Sequence, residues 1–369
     1  MLYKDIIGQT TGKNILRRFV DNARIPHAML LLAPLGAGGL SLARATAQYI
    51  LCDNKTEGDA CGQCNACTKT QKLIHPDVHY SYPTVGPKTI ATHVLNEWRA
   101  AVLENPYLSS EQWLQKLGAE NKQGNIPVAE CMDIQAKLSL KTFEAEYKIL
   151  ILWLPEYLGK EGNRLLKLIE EPPDNTIFIL VAEKTGLLLD TILSRCQLVK
   201  VNALSEGDIA EALIQQKNLS SERAESIARL SDGNYNAALQ LVQELESDNA
   251  RLFLEWMRKC YKGDGNEIVQ WVEKFAAVGR EQQKTFITYA LHFFRELLFL
   301  VATGNENLHL PPEELKTARN MSNVLSVEKI EKIAMLLSDV FTYIERNAQP
   351  KILFLDTSIA MNRLMKKPF

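Results

Sequence analysis

The stretch LLLAPLGAGGLSLA, from Leu30 to Ala43, passes from an apolar run into a glycine-rich loop and then into a helical pattern. A phosphate-binding P-loop reads G-x-x-x-x-G-K-[ST], and its last glycine aligns here with Gly38. Ala33 then stands in the place of the first glycine, Gly39 in that of the lysine, and Leu40 in that of the hydroxyl residue. That lysine would reach the β- and γ-phosphates and that hydroxyl would hold Mg²⁺. The loop therefore lacks both of the side chains that hold MgATP.

Two interpretations of this loop remain open: a vestigial P-loop and a plain glycine-rich turn between a strand and a helix. In either case, the residues that make the tight turn are Gly36, Gly38 and Gly39.

The later apolar run KILILWL also lacks residues that a P-loop ATPase needs. In a P-loop ATPase the equivalent strand ends in acidic residues that hold Mg²⁺ and position water. Here Trp153 and Leu154 stand at that place, and the nearest acid, Glu156, comes after them.

Apolar strand candidates alternate with helical patterns over the first 203 residues. The candidates are Ala28–Ala33, Lys148–Leu154, Thr176–Ala182 and Leu198–Val201. Such alternation predicts an α/β fold in which helices cover both faces of a parallel sheet. After about Ala203 only helical patterns follow, with further boundaries expected near residues 203 and 263. The segment from Val78 to Asn125 fits poorly and is predicted to be an insertion at the surface.

Composition places the chain among globular proteins. It has 369 residues, is 46% hydrophobic and carries a formal net charge of −2, so no global positive field indicates nucleic-acid or membrane binding. The N-terminus shows no signal peptide, and the run ILILWL is far too short to cross a bilayer. We therefore expect a cytoplasmic protein without membrane contact.

Four of the seven cysteines cluster as CDNKTEGDACGQCNAC, with eight, two and two residues between them. The cluster comprises Cys52, Cys61, Cys64 and Cys67. Two-residue spacers let successive thiolates converge on one Zn²⁺, which prefers four such ligands in a tetrahedron. The main alternative is an iron–sulfur cluster, but the fourth cysteine and proline of the C-x₂-C-x₂-C-x₃-C-P run are absent. The spacing favours a structural zinc site; His75 is a possible substitute ligand, although a loop histidine is the simpler interpretation.

Arg195 lies in the segment TILSRCQ, a short loop after the strand Thr176–Ala182. An arginine finger stabilises the phosphate charge in a neighbouring active site, and the planar, permanently charged guanidinium suits that task. The alternative is an ordinary surface or salt-bridged arginine, and the residues of this segment alone do not exclude it.

Taken together, these segments resemble the ATPase-type subunits of the bacterial sliding-clamp loader. The resemblance covers about residues 1–240 and rests on DIIGQ, RIPHAMLLLAPLGAGG, the four cysteines, LLKLIEEPPDNTIFILVAE and TILSRCQ. The degenerate loop resembles the non-hydrolysing, delta-prime type of DNA polymerase III subunit rather than the ATP-hydrolysing gamma/tau type. In active relatives, a lid segment similar to GSxRDAL carries an arginine that senses the γ-phosphate. Here the segment reads GNYNAAL, with Asn236 at that place.

The resemblance implies three domains. A RecA-like AAA+ core would span residues 1–203, with a zinc module at about 52–67 and the insertion at about 78–125. A helical lid would span 204–262, and an all-helical collar that joins subunits into a ring would span 263–369.

The same resemblance implies a non-catalytic role. Arg195 would reach the ATP site of an adjacent gamma/tau subunit, and the four cysteines would bind structural zinc. Together with gamma/tau and delta, the chain would help load the sliding clamp on primer–template DNA, without binding ATP productively itself. Two other hypotheses remain: an active gamma/tau-like ATPase with a variant P-loop, and a stand-alone, zinc-stabilised interaction protein unrelated to replication.

Overall fold

The computed structural model describes residues 1–56, 58–118, 124–246, 249–304, 308, 310 and 312–366. Parts of four predicted regions lie outside the described residues: position 57 of the zinc module, positions 119–123 of the insertion, positions 247–248 of the lid, and positions 305–307, 309, 311 and 367–369 of the collar. The chain divides into two compact units, Met1–Leu239 and Gln240–Phe369. The expected three-domain division, with boundaries near residues 203 and 263, stays a prediction.

The first unit is built on a five-stranded sheet whose neighbouring strands all pair in parallel, in the order β2-β3-β4-β1-β5. Its strands are β1 (Ala28–Leu32), β2 (Val78–Ser81), β3 (Lys148–Trp153), β4 (Thr176–Ala182) and β5 (Gln197–Lys200). The four predicted strands are confirmed to within one residue at each end. The remaining strand, β2, was not predicted.

Alternate side chains of the strands enter two separate hydrophobic cores, as the two-residue period of a strand requires. Met29 and Leu31 of β1 pack with Ile151 of β3 on one face of the sheet. Leu30 and Leu152 belong to the core on the other face. Because both faces are covered, the strands read as continuous apolar runs, which is why the sequence revealed them.

Helices cover both faces of this sheet and complete the first unit. The helices up to residue 246 are α1 (Thr10–Asp21), α2 (Gly39–Leu51), α3 (Asn65–Gln71), α4 (Leu95–Glu104), α5 (Ser110–Lys116), α6 (Val128–Ser139), α7 (Asn163–Glu170), α8 (Asp190–Leu193), α9 (Glu206–Lys217), α10 (Ser221–Leu230) and α11 (Tyr235–Glu246). The last of these, α11, begins in the first unit and ends in the second. Short 3-10 segments lie at Tyr3–Asp5, Ala91–Val94, Pro155–Gly162 and Thr185–Leu187. The helix α2 follows the glycine-rich loop directly and is buried along its whole length.

The segment 78–125 was wrongly predicted to be a surface insertion. It begins with β2, which pairs with β3 as an edge strand of the sheet. Trp98 and Trp113, from α4 and α5, are fully buried, and the ring of Tyr82 stacks on Trp98 with 4.4 Å between centroids. The segment therefore supplies aromatic side chains to the core beside α2. The strand itself escaped the sequence analysis because VHYS is short and half polar.

The described residues of the second unit form helices and their connections. The helices are α12 (Asn249–Lys262), α13 (Gly265–Ala276), α14 (Arg280–Thr303), α15 (Pro312–Ser322), α16 (Val327–Glu345) and α17 (Pro350–Lys366). Aromatic residues of α12, α13 and α14, among them Phe253, Trp271 and Phe286, share one buried core. By length and composition, Gln282–Thr303 could cross a bilayer. Its fully buried Phe293 and Phe294 belong to the same core, as in the central helix of a helical unit.

Candidate functional site: a glycine-rich loop, a cysteine cluster and Arg195

The glycine-rich loop lies at the carboxyl end of β1, where the connections of neighbouring strands leave to opposite faces of the sheet. α2, which follows β1, packs in the core containing Leu31, whereas Ile192 of α8, which follows β4, packs in the core containing Leu30. In open parallel sheets, ligands bind at such a switch point, outside the carboxyl ends of the strands. The loop thus stands where a nucleotide site is expected.

Position 39 has no room for the lysine of a working P-loop. A Cβ atom at Gly39 would lie 2.5 Å from the Cβ of Ala33 and 3.0 Å from a methyl carbon of Val181. Neither contact involves the end of a long, flexible side chain that could move aside. Ala33 stands where the P-loop pattern has its first glycine, and Gly39 stands where it has its lysine. These two differences from the pattern are linked, because the methyl group of Ala33 fills the space beside Gly39.

The side chain of Tyr107 lies over the loop. A Cβ atom at Gly38, whose φ of 89° is left-handed, would lie 2.9 Å from the ring of Tyr107. The Tyr107 hydroxyl accepts a hydrogen bond from the backbone N–H of Ile7 at 2.9 Å. The same ring meets Tyr235 edge-on, with 5.0 Å between centroids. Tyr107 therefore connects three segments around the loop: the N-terminal segment, the loop itself and the start of α11.

The segment that precedes and begins α11 closes on the loop with its own polar groups. The backbone N–H of Tyr235 donates to the carbonyl of Gly36 at 3.2 Å. A Cβ atom at Gly36 would lie only 1.7 Å from the Oδ1 of Asn234, so the Asn234 side chain occupies that space. Asn236, at the place of the lid arginine, is 3% exposed, and its Oδ1 accepts from the Nδ2 of Asn105 at 2.8 Å. The loop is thus covered by side chains of the protein itself.

The acids expected after β3 are absent, and the nearest acid serves another purpose. Trp153 and Leu154 are both buried. Glu156 Oε1 accepts from the backbone N–H groups of Glu183 and Lys184, at 2.5 and 2.9 Å. Burial, together with the charge of Glu156, raises the pKa of Glu183 from 4.5 to about 7. Glu156 therefore fixes the backbone beyond β4.

The four clustered cysteines come together as the spacing predicted. Their sulfur atoms all lie within 4.8 Å of one another, and Cys61 Sγ and Cys67 Sγ are 3.9 Å apart. A zinc ion held by four sulfurs at ~2.3 Å would separate them by about 3.8 Å, so this donor set fits a tetrahedral metal site. Cys64 is the N-cap of α3, and Cys67 lies in the first turn of that helix.

Backbone N–H groups point at several of these sulfurs. The N–H groups of Gln63 and Cys64 donate to Cys61 Sγ and lower the pKa of that thiol to about 6, whereas burial raises the pKa of Cys67. His75 does not join the cluster. Its Nδ1 accepts from the N–H of Asp77, and its Nε2 lies 3.4 Å from a carboxylate oxygen of Glu144.

The cysteine cluster is connected to the N-terminal segment through Asp59. Its two carboxylate oxygens accept from the backbone N–H groups of Tyr3 and Lys4, each at 3.0 Å. This same N-terminal segment provides Ile7, which bonds to Tyr107. A metal held by the cysteines would therefore brace the segment that closes the loop.

Comparison with known proteins assigns the family. A family model described as DNA polymerase III, delta subunit, matches residues 8–205, which is more than half of the chain and includes the loop, the cysteine cluster and Arg195. The chain belongs to this family. Subunit delta' of DNA polymerase III from Haemophilus influenzae is 28% identical over 237 residues, 64% of this chain and 61% of that protein.

Subunits named tau and gamma/tau are also similar to this chain. Subunit tau of DNA polymerase III from Bacillus subtilis is 22% identical over 375 residues, 95% of this chain and 60% of that protein. The chain thus spans about three fifths of the length of these curated relatives. A solved structure of a gamma subunit-related protein from Thermotoga maritima aligns with a TM-score of 0.43 and 14% identity, covering 96% of this chain and 100% of that one. A likeness of this size supports no further conclusion.

Arg195 of this DNA polymerase III family member follows α8 at the edge of the first unit. Its side chain is 35% exposed and forms an ion pair with Glu170, the last residue of α7. Its Nη1 donates to the carbonyl of Thr191 at 2.9 Å and to the hydroxyl of Ser194 at 3.2 Å. The guanidinium is thus held by its own chain and still meets solvent, so the salt-bridged and the finger interpretations are compatible.

Sequence reasoning located the loop, the cysteines and Arg195, but missed the groups that close the loop and hold the arginine. Tyr107 and Asn105 lie in the segment that was set aside as an insertion. Glu170 lies within the quoted stretch LLKLIEEPP, yet its partner is 25 positions away and no periodicity connects them. The one available signal was the aromatic content of the 78–125 segment, which a surface insertion has no need to carry.

Proposed function

We propose that this chain is a non-catalytic subunit of a bacterial clamp loader, equivalent to delta-prime. It would assemble with gamma/tau and delta subunits in the cytoplasm and help to load the sliding clamp on primer–template DNA. The observation that supports the proposal is the packing around the loop: a Cβ atom at position 39 would lie 2.5 Å from Ala33, and the ring of Tyr107 packs against Gly38. Such a chain serves an ATPase complex by completing a neighbour's site.

Arg195 is the group that would complete it. The finger would supply positive charge to the transferring phosphate in the adjacent gamma/tau subunit, while residues 204–262 would act as the lid and residues 263–369 as the collar. Two of the guanidinium nitrogens already have partners on this chain, so the side chain would approach the neighbour in a defined orientation.

The four cysteines would hold a structural Zn²⁺ within the first unit. Four thiolates close the coordination shell, so the ion would supply stability and no open position for a reacting water. Through Asp59 the module would fix the N-terminal segment, and through Ile7 and Tyr107 the closed loop.

Reconstitution with partner subunits tests the role of Arg195. The Arg195→Ala variant should assemble normally and lower DNA-dependent ATP hydrolysis, because a finger is worth about 10³–10⁵ in rate at its own site. The total loss will be smaller, since the other sites of the ring keep their own fingers. Arg223→Ala, an exposed arginine on α10, is the matched control. Unchanged hydrolysis by the Arg195 variant would reject the finger.

The similarity to tau over nearly the whole chain favours one alternative, an active gamma/tau-like ATPase. Calorimetry of the isolated chain with MgATP separates the two. The non-catalytic role requires no binding heat and no turnover, whereas micromolar binding with hydrolysis would establish the motor. A third hypothesis, a stand-alone interaction protein, would be favoured if gamma/tau and delta subunits fail to bind the purified chain.

A further inference from the structure

Glu170 is the only carboxylate among the described residues that pairs with Arg195. It ends α7, whereas Arg195 follows α8, so two separate helices bring the pair together. Both side chains are partly exposed, at 35% for the arginine and 41% for the glutamate. The pair therefore lies at the surface, where a neighbouring subunit would meet it.

The contacts divide the donors of the guanidinium into two groups. Its Nη1 donates to the carbonyl of Thr191 and to the hydroxyl of Ser194, and its Nη2 forms the ion pair with Glu170. Within the described part of the chain, the Nε–H makes no hydrogen bond. This donor remains for an oxyanion supplied by a neighbouring subunit.

An exposed arginine without these contacts samples many rotamers, and binding in one of them lowers its conformational entropy. The carbonyl of Thr191 and the hydroxyl of Ser194 fix only one end of the guanidinium plane. Glu170 pairs with Nη2 and so defines the direction in which the remaining Nε–H points. Without the carboxylate, the plane can rotate about the Nη1 contacts.

We propose that Glu170 is the positioning residue of the Arg195 finger: it orients the guanidinium from outside the phosphate site so that the remaining Nε–H faces the neighbour's ATP. This inference rests on the proposed role of Arg195 in trans. Glu170 touches no phosphate; it acts only through the arginine. Its contribution therefore concerns the transition state that the finger stabilises, and not the affinity of the neighbour for ATP.

The reconstituted complex with gamma/tau and delta subunits tests this role. Glu170→Ala should lower kcat at the affected site about fivefold, with an unchanged KM for ATP and unchanged assembly. Glu170→Gln keeps an acceptor oxygen at the same distance and should restore most of the rate. Glu171→Ala removes the adjacent exposed glutamate and should behave as the wild type.

The combination with Arg195→Ala decides the mechanism. In that background Glu170→Ala should cause no further loss, because the two groups act as one unit. Additive losses, a raised KM for ATP, or a wild-type rate for Glu170→Ala would overturn the positioning role while leaving the finger in place. A silent Arg195→Ala variant would overturn both, so failure of the proposed function is recognised separately.

Discussion

The hydroxyl of Tyr107 offers the most direct measure of how firmly the loop is closed. It is the partner of the buried backbone N–H of Ile7, at 2.9 Å. Tyr107→Phe removes this one oxygen and keeps the ring against Gly38 and Tyr235. The N–H of Ile7 is then left buried without an acceptor, which costs about 1–3 kcal/mol. We therefore expect a loss of stability of this size from the removal of one atom.

In a unit of this size each kcal/mol corresponds to about 2–4 °C, so Tyr107→Phe should lower the Tm by about 2–12 °C. Scanning calorimetry of the full chain measures this shift. Tyr80→Phe is the matched control, because the Tyr80 hydroxyl is buried and has no hydrogen-bond partner in the described structure. Removal of that hydroxyl should leave the Tm unchanged or raise it.

The reasoning would be refuted if both variants melted at the same temperature, since the bond to Ile7 would then contribute nothing. Tyr107→Ala adds a second readout: it also removes the ring and should cost about 3–5 kcal/mol. An alanine variant no less stable than the phenylalanine variant would show that the ring does not pack on the loop.

Three further predictions concern the loop, the cysteines and Glu183. Gly39→Lys should destabilise the chain and leave it unable to bind MgATP in calorimetry. In the control variant Gly186→Lys a Cβ atom meets open space, so the wild-type Tm should be kept. Binding of ATP by Gly39→Lys would show that the site is open. Metal analysis should find about one zinc per chain and much less after Cys64→Ala, with a lower Tm; iron, or equal zinc in both, would contradict the assignment. Because the folded-state pKa of Glu183 is raised from 4.5 to about 7, its protonation stabilises the fold at low pH, and this contribution is lost as pH rises through 7. Glu183→Gln should therefore melt above the wild type at pH 8 and close to it at pH 4.5; an equal gap at both values would exclude this titration.

Local pattern was sufficient for much of the first unit. The strands β1, β3 and β4 are apolar runs buried on both faces, so their composition alone revealed them. The cysteine spacing was sufficient for the cluster, because neighbouring thiols two residues apart need only a short turn and the start of α3 to converge. β2 was missed because its polar residues hide a short edge strand, which becomes recognisable only beside β3.

The sequence by itself determined that the loop lacks the lysine and hydroxyl of a working P-loop, that four thiols are spaced for a metal, and that an arginine follows the third predicted strand. Only the tertiary structure decided which side chains pack around the loop. Ala33 lies against Gly39. Tyr107 forms a hydrogen bond with Ile7, 100 positions away in the sequence, and Asn105 forms one with Asn236, 131 positions away. Local periodicity reports which face of an element is buried, and carries no information on which distant side chain fills the space beside it. That choice is made by packing, because a protein interior is filled at close to crystal density by whichever side chains the fold brings together.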